Sequence, residues 1–425
     1  MRILVVGGGG REHAIIKKLK GNPQVETVYA VPGNGGIAGD AVCVPEIGAK
    51  DLDKIVAFAK EKAVGFVVVA PDDPLALGCV DRLHEVGIPC FGPDAKAARI
   101  ESSKVFSKNL MKKYGIPTAR YEVFSKPAEA LDYLKEADYP IVIKADGLAL
   151  GKDVLIPTNY AEAEDAIKSI MEDKVFGASG NEVVIEEFLT GPEVSVLAFT
   201  DGTAIAPMVS SMDHKRAGDG DTGLNTGGMG TIAPNPYYTA DVAKTCMDEI
   251  FLPTLAAMRA EGCPFKGCLY FGLMITPGGP KVIEYNCRFG DPETQVVLPL
   301  LKTDLLTIMQ AVENETLSEV NVEWDDGAAA CVILASGGYP GSYAKGKEIS
   351  IPALPQDVTC YHAGDKLVES TLVTNGGRVL GITATAPALR QALEKAYAAA
   401  DTIEFEGKYM RHDIGQRALA VLEEK

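Results

Sequence analysis

Over its first hundred residues the chain alternates short apolar runs with helical stretches, and no other feature narrows the fold as much. Runs at 2–6 (RILVV), 27–31, 65–70 and 89–91 read as strands, and the segments near 11–20, 51–62 and 74–86 read as helices. Strands and helices in strict alternation predict a parallel sheet with helices on both faces, because parallel strands need a crossover long enough to hold a helix. Ligands of such sheets sit beyond the carboxyl ends of the strands. Those ends read VGGGGREH, VPGNGG and APDDP, which are loop sequences rather than core.

The first glycine-rich turn does not fit a dinucleotide fingerprint. GxGxxG beginning at Gly7 meets Glu12 where the last glycine belongs, and beginning at Gly8 it meets His13. No acidic residue closes the second strand, which ends in Tyr29, Ala30 and Val31. Backbone amides at a helix N-terminus still suit a phosphate or carboxylate. Turns that need positive φ account for any single glycine equally well.

A helix is expected at about 94–114, followed by a small α+β layer with strands at 119–123, 141–145, 154–157 and 183–189 and helices at 127–137 and 160–172. The connection DGLALGKD is not a P-loop: only three residues separate Gly147 from Gly151, and Asp153 stands where Ser or Thr would bind a metal. A lid over phosphates flanked by Lys144 and Lys152, and a plain turn with exposed lysines, both fit it. In the same way EEFLTGPEVS, 186–195, reads either as a polar hairpin or as a link between lobes, with Phe188 and Leu189 against an adenine and Glu193 at a ribose. The stretch 210–233 has no apolar periodicity, begins with Asp213, His214, Lys215 and Arg216, and ends in GGMG. Structureless stretches of more than about 12–15 residues inside compact domains are usually functional, so it reads as an active-site loop.

A helix at about 239–261 precedes a hairpin in which 267–276 pairs with 281–287 through the turn 277–280. The second strand continues as KVIEYNCRFGDPETQ, 281–295, apolar and then abruptly ionisable. Side chains on a strand alternate, so Glu284, Asn286 and Arg288 are expected on one face and Ile283, Tyr285 and Cys287 on the other. A carboxylate and a carboxamide two residues apart are oxygen ligands suited to magnesium beside a nucleotide. A half-exposed edge strand explains the same pattern. From about residue 327 a smaller mixed domain with antiparallel strands and a helix at 388–399 is expected, with Trp324, the single tryptophan, as a packing anchor near its boundary.

A net charge of −17 with no Lys/Arg block argues against nucleic-acid and anionic-membrane surfaces, and leaves a soluble enzyme of small molecules as the expected class. The nine cysteines form no CxxC pair and no Cys/His cluster at zinc spacing, which points to a reducing compartment. No apolar span approaches the ~20 residues that cross a membrane, and Met1 runs straight into a strand, so a cytoplasmic location is expected.

Taken together, GGGGREH, PGNGG, ADGLALGK, EEFLTGPEVS, DHKR with DGDTGLNTGGMG, EYNCRFGDPETQ, ASGGYPG and TNGGRVLG resemble the glycinamide ribonucleotide synthetases, which follow the ATP-grasp plan. The matches run in order from the first strand to HDIGQRAL near the end. The resemblance implies an N-terminal parallel α/β domain over 1–103, an ATP-grasp region over 104–326 with a lid at about 120–190, and a small mixed C-terminal α/β domain over 327–425. It implies that ATP phosphorylates glycine and that 5-phosphoribosylamine attacks the acyl phosphate, giving glycinamide ribonucleotide, ADP and phosphate in the second step of purine synthesis. Such chemistry needs positioning and charge neutralisation more than a protein nucleophile.

By the same resemblance Glu284 and Asn286 are the ligands of magnesium or manganese, and Lys104, Lys144, Gly147, Gly151 and Lys152 lie along the triphosphate. Glu186, Glu187, Phe188, Leu189 and Glu193 surround adenosine. Arg288 stabilises the acyl phosphate, with Asp213 and Lys215 at the reacting groups. Gly9, Gly10, Arg11, Glu12, Asn34, Gly35, Gly36, Asp72, Gly227, Gly228 and Asp291 contact glycine or phosphoribosylamine. The resemblance also implies a monomer whose partners are small molecules.

Three motifs depart from the family pattern: ALGKD in place of AAGKG in the lid, Asp72 in place of Glu, and Leu224 in place of Pro. A sister ATP-grasp enzyme would share the lid and the metal strand but lack the DHKR and CRFGDPETQ loops. A nucleotide-binding regulator with lapsed chemistry would show no ADP release dependent on both co-substrates.

Overall fold

The computed structural model describes residues 1–148 and 154–423. Gly151, Lys152 and Asp153 of the expected lid, with Leu150, lie outside the described residues. Strands β1 (Arg2–Gly7), β2 (Thr27–Pro32), β3 (Val42–Cys43), β4 (Phe66–Val69) and β5 (Cys90–Phe91) form one parallel sheet in the order β3-β2-β1-β4-β5. Alternate side chains of β1 part to its two faces. Ile3 and Val5 pack with Ala14, Ile15 and Leu19 of α1 (Gly10–Lys20), whereas Leu4 and Val6 pack with Ile55 and Ala59 of α2 (Leu52–Glu61).

Two expected helices are each broken in two. The segment 74–86 becomes α3 (Asp72–Ala76) and α4 (Cys79–Glu85), because Gly78 between them takes φ +89, outside the helical region. The segment 94–114 becomes α5 (Ala95–Ser102) and α6 (Lys104–Tyr114). Ser103 is extended there, and its hydroxyl caps α6 by accepting the Phe106 N–H at 3.1 Å.

Strands β6 (Tyr121–Phe124), β7 (Ile141–Ala145), β8 (Val154–Leu155) and β9 (Val183–Glu187) form an antiparallel sheet in the order β6-β9-β7-β8. The helices α7 (Pro127–Leu134) and α8 (Tyr160–Ile167) cover one of its faces through Leu134, Ala163 and Ile167. The chain then runs through β10 (Glu193–Asp201), β11 (Ile205–Pro207), β12 (Met212–Asp213), β13 (Arg216–Gly218), β14 (Thr222–Asn225) and β15 (Gly230–Ala233). After α9 (Ala240–Cys246), a π turn and α10 (Leu252–Ala260), it forms β16 (Lys266–Thr276) and β17 (Gly279–Asn286). A second antiparallel sheet has the order β11-β10-β16-β17, with β16 and β17 as the expected hairpin. Because β9 and β10 belong to different sheets, 186–195 is a link between two layers and not a hairpin.

The last strands are β18 (Ala328–Ser336), β19 (Val358–His362), β20 (Asp365–Val368), β21 (Thr371–Thr374), β22 (Arg378–Ala386) and β23 (Lys408–Tyr409). The stretch 210–233 differs from the expected loop: it holds four short strands, of which β12 and β15 extend the C-terminal sheet in the order β12-β15-β18-β22-β19. One hydrophobic core joins the N-terminal sheet, the β11-β10-β16-β17 sheet and the C-terminal sheet, since Ile3, Ile15, Leu197, Phe289, Leu305, Cys331 and Tyr361 all belong to it, whereas the β6-β9-β7-β8 sheet has its own around Leu134, Ile143 and Ile185. Trp324 packs against that core, as a packing anchor would.

Candidate active site

The polar ridge of β17 owes its orientation to a bulge. Strict alternation would place Ile283 with Tyr285, yet the buried partner of Tyr285 is Val282. In the register with β16, Val282 pairs with Leu273 and Glu284 with Gly272, so Ile283 is the extra residue. The bulge lets Val282, Tyr285 and Cys287 share the core, and it offers the Ile283 carbonyl to the Lys144 ammonium at 3.3 Å. Glu284 and Asn286 are half-buried on the other side, while Arg288 lies beyond the end of the strand.

These two side chains suit a hard cation. Glu284 makes no hydrogen bond or ion pair among the described residues, and its strand neighbour Gly272 contributes no side chain beside it. Asn286 donates Nδ2 to Glu101 Oε1 at 3.1 Å and to the Tyr285 carbonyl at 3.0 Å. Its Oδ1 accepts nothing among the described residues. A carboxylate and an amide oxygen left open on one strand are the kind of donors that magnesium accepts. Among the described residues no group of three His, Cys, Asp or Glu forms a metal cluster, so phosphate and water would have to complete the coordination.

Facing this ridge is the face of the β6-β9-β7-β8 sheet that α7 and α8 leave uncovered. Ile143 and Ile185 point to α7 and α8, so Lys144 and Glu186 must point the other way. Glu186 is buried, with the Lys144 ammonium 3.0 Å from one oxygen and that of Lys108, from α6, 3.1 Å from the other. Burial opposes ionisation of Glu186, but the two cations outweigh it and hold the carboxyl below its usual range. Burial brings the Lys108 ammonium down to about 8 despite the pull of Glu186. Glu186, expected beside adenosine, is thus the counter-ion that sets two lysines. Glu187 is similarly engaged, by Arg120 at 2.9 Å and Lys281 at 3.3 Å. Phe188 and Glu193 remain exposed on the link, with Leu189 half-buried. Lys104 donates to the Gly147 carbonyl at 2.8 Å and so ties α6 to the start of the lid loop.

The former loop brings a second charged group to the site. Asp213 is 3.1 Å from the Lys215 ammonium and accepts the His214 N–H at 2.8 Å. Burial raises the Asp213 carboxyl, with Lys215 opposing. Burial works against the charge on Lys215, but Asp213 first, then Tyr270, Glu293 and Glu284, hold it well above the usual range. Glu293 is buried beneath them and accepts the Tyr270 hydroxyl at 3.1 Å. Its carboxyl is raised by burial and then by Asp213. Gly228 must be glycine twice over: its φ is +121, and a Cβ would come within 2.5 Å of Asp213 Oδ1. A Cβ on Gly227 would meet the Arg378 guanidinium. Arg378 donates to the carbonyls of Gly227 at 3.0 Å and Asp291 at 2.8 Å, joining the two loops.

At the N-terminal sheet, Gly9 caps α1, and its N–H donates to Glu12 Oε2 at 2.6 Å. Arg11 donates to the other Glu12 oxygen at 2.7 Å and to the Phe289 carbonyl at 3.2 Å. Both Glu12 oxygens therefore accept a hydrogen bond within the protein. Gly10 packs against Gln295, whose Nε2 donates to Asp291 at 2.8 Å. Burial works against the Asp291 charge, yet Arg378 and Arg11 keep its carboxyl below the usual range. The turn 34–36 meets the C-terminal unit. Asn34 donates to the His362 carbonyl at 2.8 Å, Gly35 packs on Lys366, and the Gly36 N–H donates to Asp365 at 3.1 Å. This turn is an internal seam with the C-terminal unit. Asp72 starts α3; burial works against the charge on the Arg288 guanidinium, and Glu101 first, then Asp72, outweigh it and hold the group protonated.

Sequence reasoning gave no role to Glu101, Lys108, Tyr270, Glu293 or Arg378. Glu293 and Arg378 sit inside quoted motifs, GDPETQ and NGGRVLG, so their presence there was a usable signal. Glu101 and Lys108 lie on ordinary amphipathic helices with nothing local to mark them.

Known proteins resemble this chain over nearly its whole length. Family models for phosphoribosylglycinamide synthetase match in three pieces: the N domain at 1–101, the ATP-grasp (A) domain at 102–294 and the C domain at 329–417. The chain is 47% identical to the phosphoribosylamine–glycine ligase of Caldanaerobacter subterraneus subsp. tengcongensis over 414 residues, 97% of this chain and 99% of that one. The crystal structure of phosphoribosylamine–glycine ligase from Thermotoga maritima superimposes with a TM-score of 0.85 at 37% identity, covering 97% of this chain and 100% of that one. The biotin carboxylase domain of the Hydrogenobacter thermophilus 2-oxoglutarate carboxylase, in complex with MgADP, ADP and bicarbonate, shares the fold at a TM-score of 0.74 and 16% identity, covering 96% and 91%.

Proposed function

This chain belongs to the phosphoribosylglycinamide synthetase family, and from that premise we propose how its own residues carry out the ATP-dependent joining of glycine to 5-phosphoribosylamine in purine biosynthesis. The observation that carries the assignment is the open oxygen pair of Glu284 and Asn286, opposite Lys144 on the facing sheet. The reaction uses ATP with a divalent cation. Glu284 and Asn286 would hold that cation, magnesium or manganese, which when bound supplies positive charge against the phosphates.

Lys144 and Lys104 hold the phosphates. Glu186 works at one remove by keeping Lys144 in place. Phe188, Leu189 and Glu193 hold adenosine. Asp213 and Lys215 orient glycine, with the acid near its ammonium and the lysine near its carboxylate. Arg288 stabilises charge on the acyl phosphate and on the tetrahedral species formed when the amine attacks, since preset cations act most strongly where charge develops. The substrate phosphate lies at the N-terminus of α1 against Gly9, Gly10 and Arg11, where backbone amides favour an anion. Gly227, Gly228 and Asp291 line the ribose between the loops that Arg378 joins.

Three units carry this chemistry, with 1–103, 104–326 and 327–425 as domains. A cytoplasmic monomer fits the same reading: all nine cysteines are free, and no helix among the described residues is long and apolar enough to cross a membrane. The test is Glu284→Ala. ADP release that requires both glycine and phosphoribosylamine is expected to vanish while the unfolding transition is retained, and substantial retained turnover would overturn the metal assignment.

A further inference from the structure

We propose that Glu101 is a positioning residue that fixes which end of the Asn286 amide faces the cation. This rests on the metal reading given above. Glu101 lies near the end of α5 and is 8% exposed, although it is charged and far in sequence from β17. Its carboxylate receives donors from three consecutive residues. Asn286 Nδ2 is 3.1 Å from Oε1, the Arg288 guanidinium is 2.9 Å from the same oxygen, and the Cys287 N–H is 2.7 Å from Oε2.

A carboxylate with donors on every side acts only as an acceptor. A carboxamide can present either its oxygen or its NH2, with little to choose between them in shape. Against Glu101 only the NH2 end of Asn286 is favourable, which leaves Oδ1 on the side shared with Glu284. The same carboxylate anchors Arg288, so one group sets both a metal ligand and the cation beside it.

Glu101→Gln tests the orientation directly, because it keeps the shape and changes the donor pattern. The Cys287 N–H belongs to the backbone and cannot turn away, so the oxygen of the introduced amide must stay with it. Its NH2 then faces Asn286, and the asparagine is driven to reverse, giving up its bond to the Tyr285 carbonyl and aiming its own NH2 at the cation. Adding Asn286→Asp to Glu101→Gln removes the conflict, since aspartate can accept from the introduced amide with one oxygen and ligate with the other. With Glu101 in place, the same aspartate faces a second carboxylate.

The readout is Mn2+ binding in the presence of ADP, followed by the loss of the free-ion electron paramagnetic resonance signal, with no turnover involved. Glu101→Gln is expected to weaken binding by about 10- to 100-fold, the usual scale for residues that orient metal ligands. Asn286→Asp is expected to restore affinity when combined with Glu101→Gln far more than it helps in wild type. Glu101→Ala, which removes the acceptor without adding a donor, is expected to lose less than Glu101→Gln. Unchanged affinity in Glu101→Gln, or an equal effect of Asn286→Asp in both backgrounds, would overturn the proposal. Asn286→Ala separates the two layers. Unchanged Mn2+ affinity there removes the metal reading and this inference with it, whereas weakened binding there beside intact binding in Glu101→Gln removes this inference alone.

Discussion

The backbone N–H of His362 donates to Nδ1 of His13 at 2.9 Å, across 349 residues, and pins α1 to the C-terminal sheet. Accepting at Nδ1 leaves the imidazole proton on Nε2, where it is donated to Asp40 at 2.9 Å. His214 does the same elsewhere, accepting the Gly415 N–H at Nε2 at 3.1 Å and donating Nδ1–H to the Gly230 carbonyl at 3.0 Å. A second ring proton would face a backbone N–H in each case. Burial is the main cause of the lowered pKa of about 4 for both rings. For His13, Asp40 raises it while His362 and Lys17 lower it.

Stability is therefore expected to fall as the medium is acidified. Above pH 6.5 both rings are neutral in folded and unfolded chains, and the full stability is present. Between pH 6.5 and about 4 the unfolded chain takes up protons that the folded one refuses, at about 3 kcal/mol for each histidine by the bottom of that window. Urea unfolding at pH 7.5, 6 and 5 checks this, and His13→Gln is expected to flatten part of the slope.

The Lys108–Glu186–Lys144 group gives an unequal pair of outcomes. Glu186→Gln removes the one negative charge that two buried ammonium groups share and is expected to destabilise the protein by about 3 kcal/mol. Lys108→Met leaves Glu186 paired with Lys144 and is expected to lose clearly less. Urea midpoints of the two variants decide the ranking, and ATP affinity should weaken more in Glu186→Gln because Lys144 loses its support.

Arg378→Met is expected to lower kcat/KM for glycine and phosphoribosylamine about 100-fold, the scale of a displacement of about 1 Å in substrate-positioning groups. The guanidinium holds Gly227 and Asp291, on the loops assigned to the other two substrates, so the KM for ATP should stay near its wild-type value. Steady-state kinetics with each substrate varied in turn distinguishes these.

Gly228→Ala combines an unfavourable φ with a methyl group 2.5 Å from Asp213 Oδ1 and 2.6 Å from Pro292 Cδ. Strain of about 1–3 kcal/mol is expected at the backbone alone. The loop should shift and turnover should collapse, while ATP binding measured by calorimetry remains.

Much of this architecture could be read from the chain. Ile3 and Val5 against Leu4 and Val6 announce a sheet covered on both faces, and a carboxylate two residues from a carboxamide announces the ridge of β17. Both signals are local, carried by neighbours whose spacing the backbone geometry fixes. Signals failed where a single residue interrupts a period: Gly78 and Ser103 each split a helix, and Ile283 bulges so that Val282 takes its expected place beside Tyr285.

The sequence by itself determined the alternating N-terminal elements, the β16–β17 hairpin, the Glu284 and Asn286 pair and the ordered motifs of the family. Only the tertiary structure decided that β12 and β15 join the C-terminal sheet, that Glu186 serves Lys108 and Lys144, that the turn 34–36 seals against His362, and that Glu101 reaches Asn286 from 185 residues away. Periodicity is a property of adjacent residues, whereas a buried charge takes its partner from whatever packing brings within about 3 Å, and no local pattern encodes that distance.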